Sequence, residues 1–136
     1  MAYKVDEIEG IGPKYAEKLN SCGIKTTDDL LAKCCKKEGR KEVTEATGIS
    51  NDKLRDWANM SDLMRISGVA EEYSELLEKA GVDTVKELRN RNAANLAQKM
   101  LEINEEKNLT RRPPSEKVVT KWVDQAKELA PSEFTY

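Results

Sequence analysis

The chain contains no histidine, only three cysteines and a single phenylalanine among its 136 residues. Without an imidazole or a Cys-x-x-Cys pair, neither a zinc site nor a histidine-based catalytic dyad has anything to be built from, so no metal site is expected. Cys22, Cys34 and Cys35 form an odd set in which two are neighbours, a poor disulfide framework, and reduced thiols are the expectation. Long apolar runs are missing too. No stretch approaches the roughly 18 apolar residues that span a bilayer, and Met1-Ala2-Tyr3-Lys4-Val5-Asp6 has no apolar signal region. A cytoplasmic chain with no membrane contact is expected. The last absence is a basic excess: 23 Lys and Arg face 25 Asp and Glu, for a net charge of −2, and acidic residues are narrowly ahead on both sides of Asp62. Non-specific duplex binders displace counterions with a clear positive surplus, so any nucleic-acid contact here has to be local.

What is present points to helices. Glu, Lys, Leu and Ala dominate, and a chain that is 38% hydrophobic and 35% charged is solvated and globular rather than disordered. It also repeats itself. Ile8-Glu9-Gly10-Ile11 recurs as Ile66-Ser67-Gly68-Val69, an offset of 58, and the register then holds without gaps for more than twenty residues. Tyr15 pairs with Tyr73, Glu17 with Glu75, Leu19 with Leu77, Gly23 with Gly81, Ile24 with Val82, Thr26 with Thr84 and Leu30 with Leu88.

Each copy begins with a glycine turn and continues into a helical stripe, Tyr15, Ala16, Leu19 and Cys22 in the first and Tyr73, Leu76, Leu77 and Ala80 in the second. Gly23 and Gly81 stand where a helix ends in a left-handed residue, and Thr26 or Thr84, with Asp29 or Glu87 three residues on, caps the next helix. Further along, Ser50, Leu54 and Trp57 reappear as Ser115, Val119 and Trp122 at an offset of 65, with the two serines as N-caps and both tryptophans in the core. The seven extra residues of the second copy fall in a loop over Glu105 to Pro114, where Asn108, Arg111-Arg112 and Pro113-Pro114 interrupt any helix. No Pro or Gly separates Asn51 from Ile66, so the closing helix of copy one is read as running on into copy two. The expected fold is all-α: two pseudo-repeated units, 1–62 and 63–136, of about five short helices each, packed as one body.

The segment Ile8-Glu9-Gly10-Ile11-Gly12-Pro13-Lys14-Tyr15-Ala16-Glu17-Lys18-Leu19 resembles the helix-hairpin-helix motif over its whole length. Gly10 and Gly12 permit a tight turn and the close approach of another backbone, and Pro13 suits the first helical position. A phosphate at such a helix start accepts backbone N–H bonds, with Lys14 or Lys18 supplying charge, so Gly10, Ile11, Gly12, Lys14 and Lys18 are the candidate nucleic-acid contacts. The second copy departs from the pattern. Gly68-Val69-Ala70-Glu71-Glu72-Tyr73 replaces the second glycine with alanine and the lysine with glutamate, a hostile surface for phosphate. Thr47-Gly48-Ile49-Ser50 resembles a reduced hairpin closing unit one, and Leu109 to Ser115 stands in its place in unit two. Ala80 to Leu88 is similar to the carboxy-terminal domain of the bacterial RNA polymerase alpha subunit, which touches DNA and activator proteins. Over nearly its full length the chain resembles the domain-of-unknown-function family DUF4332, on Gly10-Ile11-Gly12-Pro13-Lys14-Tyr15-Ala16 and on Arg111-Arg112 before Pro114-Ser115. That resemblance implies a fold more firmly than an activity.

Several features carry two readings. Lys33, Lys36, Lys37, Arg40 and Lys41 form the densest basic run, and Lys36, Lys37 and Arg40 extend a phosphate track if they lie beside the hairpin; solvated helix ends diluted by Glu38 and Glu42 are the favoured alternative. Arg111 and Arg112 clamp a phosphate or a partner carboxylate, or, as the favoured alternative, cap helix carbonyls or stay solvated. Tyr15 and Tyr73 are read as core residues with an edge hydroxyl. Cys34-Cys35 is read as a buried pair at a helix end rather than as reactive thiolates, and Asp28-Asp29 as a first-turn pair that complements a helix dipole. No enzyme is expected. No cofactor is expected either, although a monovalent cation held by hairpin carbonyls would leave no trace in residue types. The leading partner is a DNA or RNA backbone and the alternative is a protein, with oligomeric state left open.

Overall fold

A computed structural model of the chain describes residues 3–8, 10–69 and 71–136, the side chains of Glu71 and Glu72 excepted. The alanine and the side chains of the two glutamates that follow Val69 in the second glycine turn therefore lie outside the described residues, as do Glu9 of the first motif and Met1-Ala2. Among the described residues there are eight α-helices, one 3-10 turn and no strand. The chain divides into two compact units, Met1–Asp62 joined by Ser132–Tyr136, and Leu63–Pro131. The second unit thus stops at Pro131 rather than at 136.

In unit one a 3-10 turn, Val5–Glu7, leads to α1 (Pro13–Ser21), α2 (Thr27–Cys34), α3 (Lys37–Thr47) and α4 (Asn51–Leu63). Its start is tied down by a lone bridge between Lys4 and Thr26. Helix α1 ends as its sequence dictates: Gly23 adopts φ +80°, and the Ile24 N–H returns to the Leu19 carbonyl at 3.0 Å. Thr26 then caps α2 reciprocally with Asp29, whose carboxylate accepts the Lys25 and Thr26 amides at 3.1 Å each. Those amides hold the Asp29 carboxyl below the usual carboxylate range. The cap is therefore complete above about pH 4 and is lost as the pH falls through the lowered value. Gly48, at φ +79°, ends α3, and Ser50 Oγ accepts the Lys53 N–H at 3.2 Å to start α4. Val5, Ile8, Ile11, Leu19, Leu30, Leu54 and Trp57 are buried in this unit. Each fully buried leucine contributes about 1.5–3 kcal/mol relative to an exposed one.

Among its described residues unit two has four helices, α5 (Glu71–Lys79), α6 (Val85–Leu88), α7 (Ala93–Lys107) and α8 (Glu116–Glu128), where about five were expected. Local bonds recur 58 positions on. Ile8 and Ile11 donate to the carbonyls of Val5 and Ile8, and Ile66 and Val69 donate to those of Leu63 and Ile66, all at 3.1 Å. Gly81, at φ +93°, and Thr84, which accepts the Glu87 N–H, start α6 as Gly23 and Thr26 start α2. Leu63, Ile66, Val69, Leu77, Val82, Leu88, Val119 and Trp122 belong to one apolar cluster.

Three expectations need correcting. Helix α4 does not continue into the second copy but ends at Leu63, because the i→i+3 bonds at Ile66 and Val69 turn the chain out of the helix. The interrupting loop starts at Asn108 rather than Glu105: Glu105 to Lys107 contain no breaker and extend α7, and Asn108 ends it at φ 55°. Buried Asn104 fastens that loop, its amide donating to the Thr110 carbonyl and its oxygen accepting the Thr110 N–H, both at 2.9 Å. Finally, Cys22 lies outside the apolar stripe. Cys22, one residue past the end of α1, is exposed, whereas Ala80, one residue past the end of α5, is buried.

Candidate functional site

The candidate site is the turn that starts α1. Gly10 adopts φ +94°, a conformation that favours glycine, and a Cβ there would sit 3.5 Å from Trp57 Nε1, so the turn rests on the indole edge. The ring of Tyr15, half-buried on the first turn of α1, meets that indole edge-on, with centroids 5.2 Å apart at 63°. Ile11 is buried and anchors the turn from below. Gly68, at φ +90°, lies in the same way against Trp122 in unit two, and Tyr73 packs on that ring at 5.3 Å.

Gly12 differs from Gly10. It is the N-cap of α1, with an ordinary φ of −83°, and a Cβ built on it would meet nothing within 4 Å. Nothing inside the described chain requires glycine at that position. It provides no side-chain cap, Pro13 has no N–H, and the first amides of a helix lack an intrahelical acceptor, so among the described residues the cap position leaves the backbone donors at the positive end of α1 to other partners. Gly10, Gly12, Pro13, Lys14 and Tyr15 line a shallow surface depression, and Lys14 also borders the neighbouring surface formed by Glu17, Lys18 and Ser21. Lys14 and Lys18 are both exposed.

The structure adds a residue that the sequence reading missed. The ammonium of Lys53, exposed on the first turn of α4, lies 5.8 Å from the Tyr15 ring centroid, which places a third cation beside the α1 turn. The signal was present in the spacing. Lys53 precedes Trp57 by four residues, so it shares the face of α4 whose tryptophan supports the turn.

The secondary basic contacts fare unevenly. Lys36 and Lys37 are exposed at the start of α3, and Arg111 and Arg112 are exposed in the loop before α8, where the Arg112 carbonyl accepts the Tyr73 hydroxyl at 3.0 Å. Lys33 is paired with Glu42. Arg40 has to be withdrawn from the candidate contacts. It is 0% exposed, because it shares the inward stripe of α3 with Val43, and its guanidinium is consumed by the Cys34 and Cys35 carbonyls at 2.9 and 3.2 Å, Asn51 Oδ1 at 2.7 Å and the Thr135 carbonyl.

The thiols divide by position. Cys34 is buried, and burial pushes its thiol up to about 12. Cys35 is half-buried and Cys22 exposed. Iodoacetamide at pH 8 is expected to alkylate Cys22 first and to leave Cys34 untouched until the protein is denatured, as peptide mapping by mass spectrometry would read. Early labelling of Cys34 would contradict the packing of α2. Among the described residues, no group of three or more His, Cys, Asp or Glu side chains is placed to hold a metal ion, and no helix is long and apolar enough to cross a membrane.

No curated protein and no solved structure matches the chain significantly. The family model described as "Domain of unknown function (DUF4332)" matches residues 9–129, which include both glycine turns and both tryptophans. The chain therefore belongs to the DUF4332 family.

Proposed function

We propose that the protein is a non-catalytic, cytoplasmic binding module, built from two tandem helix-hairpin-helix units, that holds the phosphate backbone of a nucleic acid at the α1 turn. The observation that carries this reading is Gly12, a glycine that neither its backbone angle nor its neighbours require and that leaves the helix start open to a close ligand. Backbone amides of Gly12, Lys14 and Tyr15 meet phosphate oxygens, and Lys14, Lys18 and Lys53 add local positive charge to a chain whose net charge is −2. Such contacts read shape and charge rather than base sequence.

The test is fluorescence anisotropy with labelled duplex and single-stranded oligonucleotides across a salt series. Lys14→Glu is expected to weaken binding about tenfold and to flatten the salt slope by about one counterion. Gly12→Ala is expected to unfold within about 1 kcal/mol of the native chain, since the lost N-cap preference is offset by a less flexible unfolded state, and yet to bind several-fold more weakly. No binding by the native chain at low salt would end this reading.

A second reading, a protein-interaction adaptor, is favoured by one observation in unit two. Ala94, Ala97, Leu101, Pro113 and Pro114 line a surface groove, and Leu101 is exposed in it. Substitution Leu101→Asp would abolish such an interaction and leave oligonucleotide binding unchanged.

A further inference from the structure

The corner where α2 meets α3 carries a different kind of surface, already occupied by the segment Ser132–Tyr136. Thr135 is held at three atoms: its N–H donates to the Cys35 carbonyl at 2.9 Å, its Oγ1 accepts the Lys37 N–H at 2.7 Å, and its carbonyl accepts from Arg40 Nη2. Ser132 Oγ donates to Asp62 Oδ1 at 2.9 Å. The Tyr136 ring lies 5.9 Å from Arg40 Cζ and 5.8 Å from Arg55 Cζ, and Phe134 stacks on it at 6.2 Å.

The two sides of this contact differ in how they are supported. On the receiving side Arg40 is aimed also by groups outside the segment, through its bonds to the Cys34 and Cys35 carbonyls and Asn51. The segment itself has no buried residue: Glu133, Thr135 and Tyr136 are exposed, and Ser132 and Phe134 are half-buried. It is attached by hydrogen bonds and ring faces with little apolar burial, so its release costs far less than unfolding the core. A cationic receiver bonded to one threonine's main chain and hydroxyl, with an aromatic lying over its arginines, is the chemistry of short linear peptide recognition.

We propose that the α2–α3 corner is a docking site for a linear peptide carrying a threonine flanked by aromatics, and that Ser132–Tyr136 is its built-in competitor. This site is separate from the α1 turn, and its test does not depend on nucleic-acid binding.

The probe is a fluorescein-labelled peptide of sequence Pro-Ser-Glu-Phe-Thr-Tyr, titrated against the full chain and against the full chain carrying Thr135→Pro and Tyr136→Ala. The substituted chain loses the Thr135 N–H and the aromatic cap, which frees the corner, and is expected to bind the peptide at least about tenfold more tightly than the native chain. A substituted chain that is folded by circular dichroism and does not bind the peptide overturns the proposal. If the substituted chain does not fold, hydrogen exchange in the native chain decides. Thr135 and Lys37 amides exchanging about a hundredfold faster than that of Ala58 support an exchangeable segment, and equal protection overturns it.

Discussion

Gly39→Ala is expected to leave little folded protein. Gly39 lies in the first turn of α3, and a Cβ built on it would stand 1.7 Å from the Lys33 carbonyl oxygen and 2.9 Å from its carbon. Both atoms are helix backbone, so no side chain can swing aside. Relief requires α3 to move away from α2, which would also pull Arg40 from the carbonyls it bonds and Val43 from the core. Overpacking of this severity falls at the upper end of single-substitution effects, about 4 kcal/mol or more. Urea unfolding followed by circular dichroism measures it. A midpoint close to the native one would show that the two helices separate at little cost.

The second large effect is expected at Arg40. Arg40→Met keeps an unbranched apolar stem of similar reach but removes every donor, so the Cys34 and Thr135 carbonyls and Asn51 Oδ1 lose this partner and the Cys35 carbonyl keeps only the Thr135 N–H. Hydrogen bonds from a charged donor are worth about 1.5–3 kcal/mol each, and orphaned buried acceptors add their own cost. The expected loss is about 3 kcal/mol or more, in contrast to Lys36→Ala and Lys37→Ala on the exposed start of the same helix, which should stay within about 0.5 kcal/mol. Equal, small effects at all three positions would mean that Arg40 is solvated, as its place in a basic run first suggested. The same experiment therefore separates a structural arginine from two surface lysines that the sequence presents as alike.

What could be read from the residues is what is decided within a few positions along the chain. Thr26, Thr84, Ser50 and Ser115 are caps because a hydroxyl three residues before an amide is a local arrangement. Gly23 and Gly81 end helices by their own conformational freedom. The period of the apolar residues placed Leu19, Leu77, Trp57 and Trp122 in the core. The features that escaped depend on distant segments. Arg40 is buried partly because Thr135, 95 positions away, lies against it. Nothing in the residues around Gly39 marks it, since the carbonyl that forbids a side chain there comes from another helix. Cys22 fits the stripe by spacing yet is exposed, while Ala80 at the matching place after α5 is buried. At the candidate site, Gly10 through Lys18 were legible as a motif. Lys53 joined them only when Trp57 brought α4 beneath the turn.

The placement of the tryptophans has an optical consequence. The chain has two, Trp57 in the first unit and Trp122 in the second, each under a glycine turn and beside one tyrosine. Replacing either with phenylalanine turns the emission of the other, excited at the red edge where tyrosine does not absorb, into a private gauge of one unit's integrity. Melting curves from the two single-tryptophan chains, overlaid, reveal whether the halves lose their structure as one cooperative system or in succession.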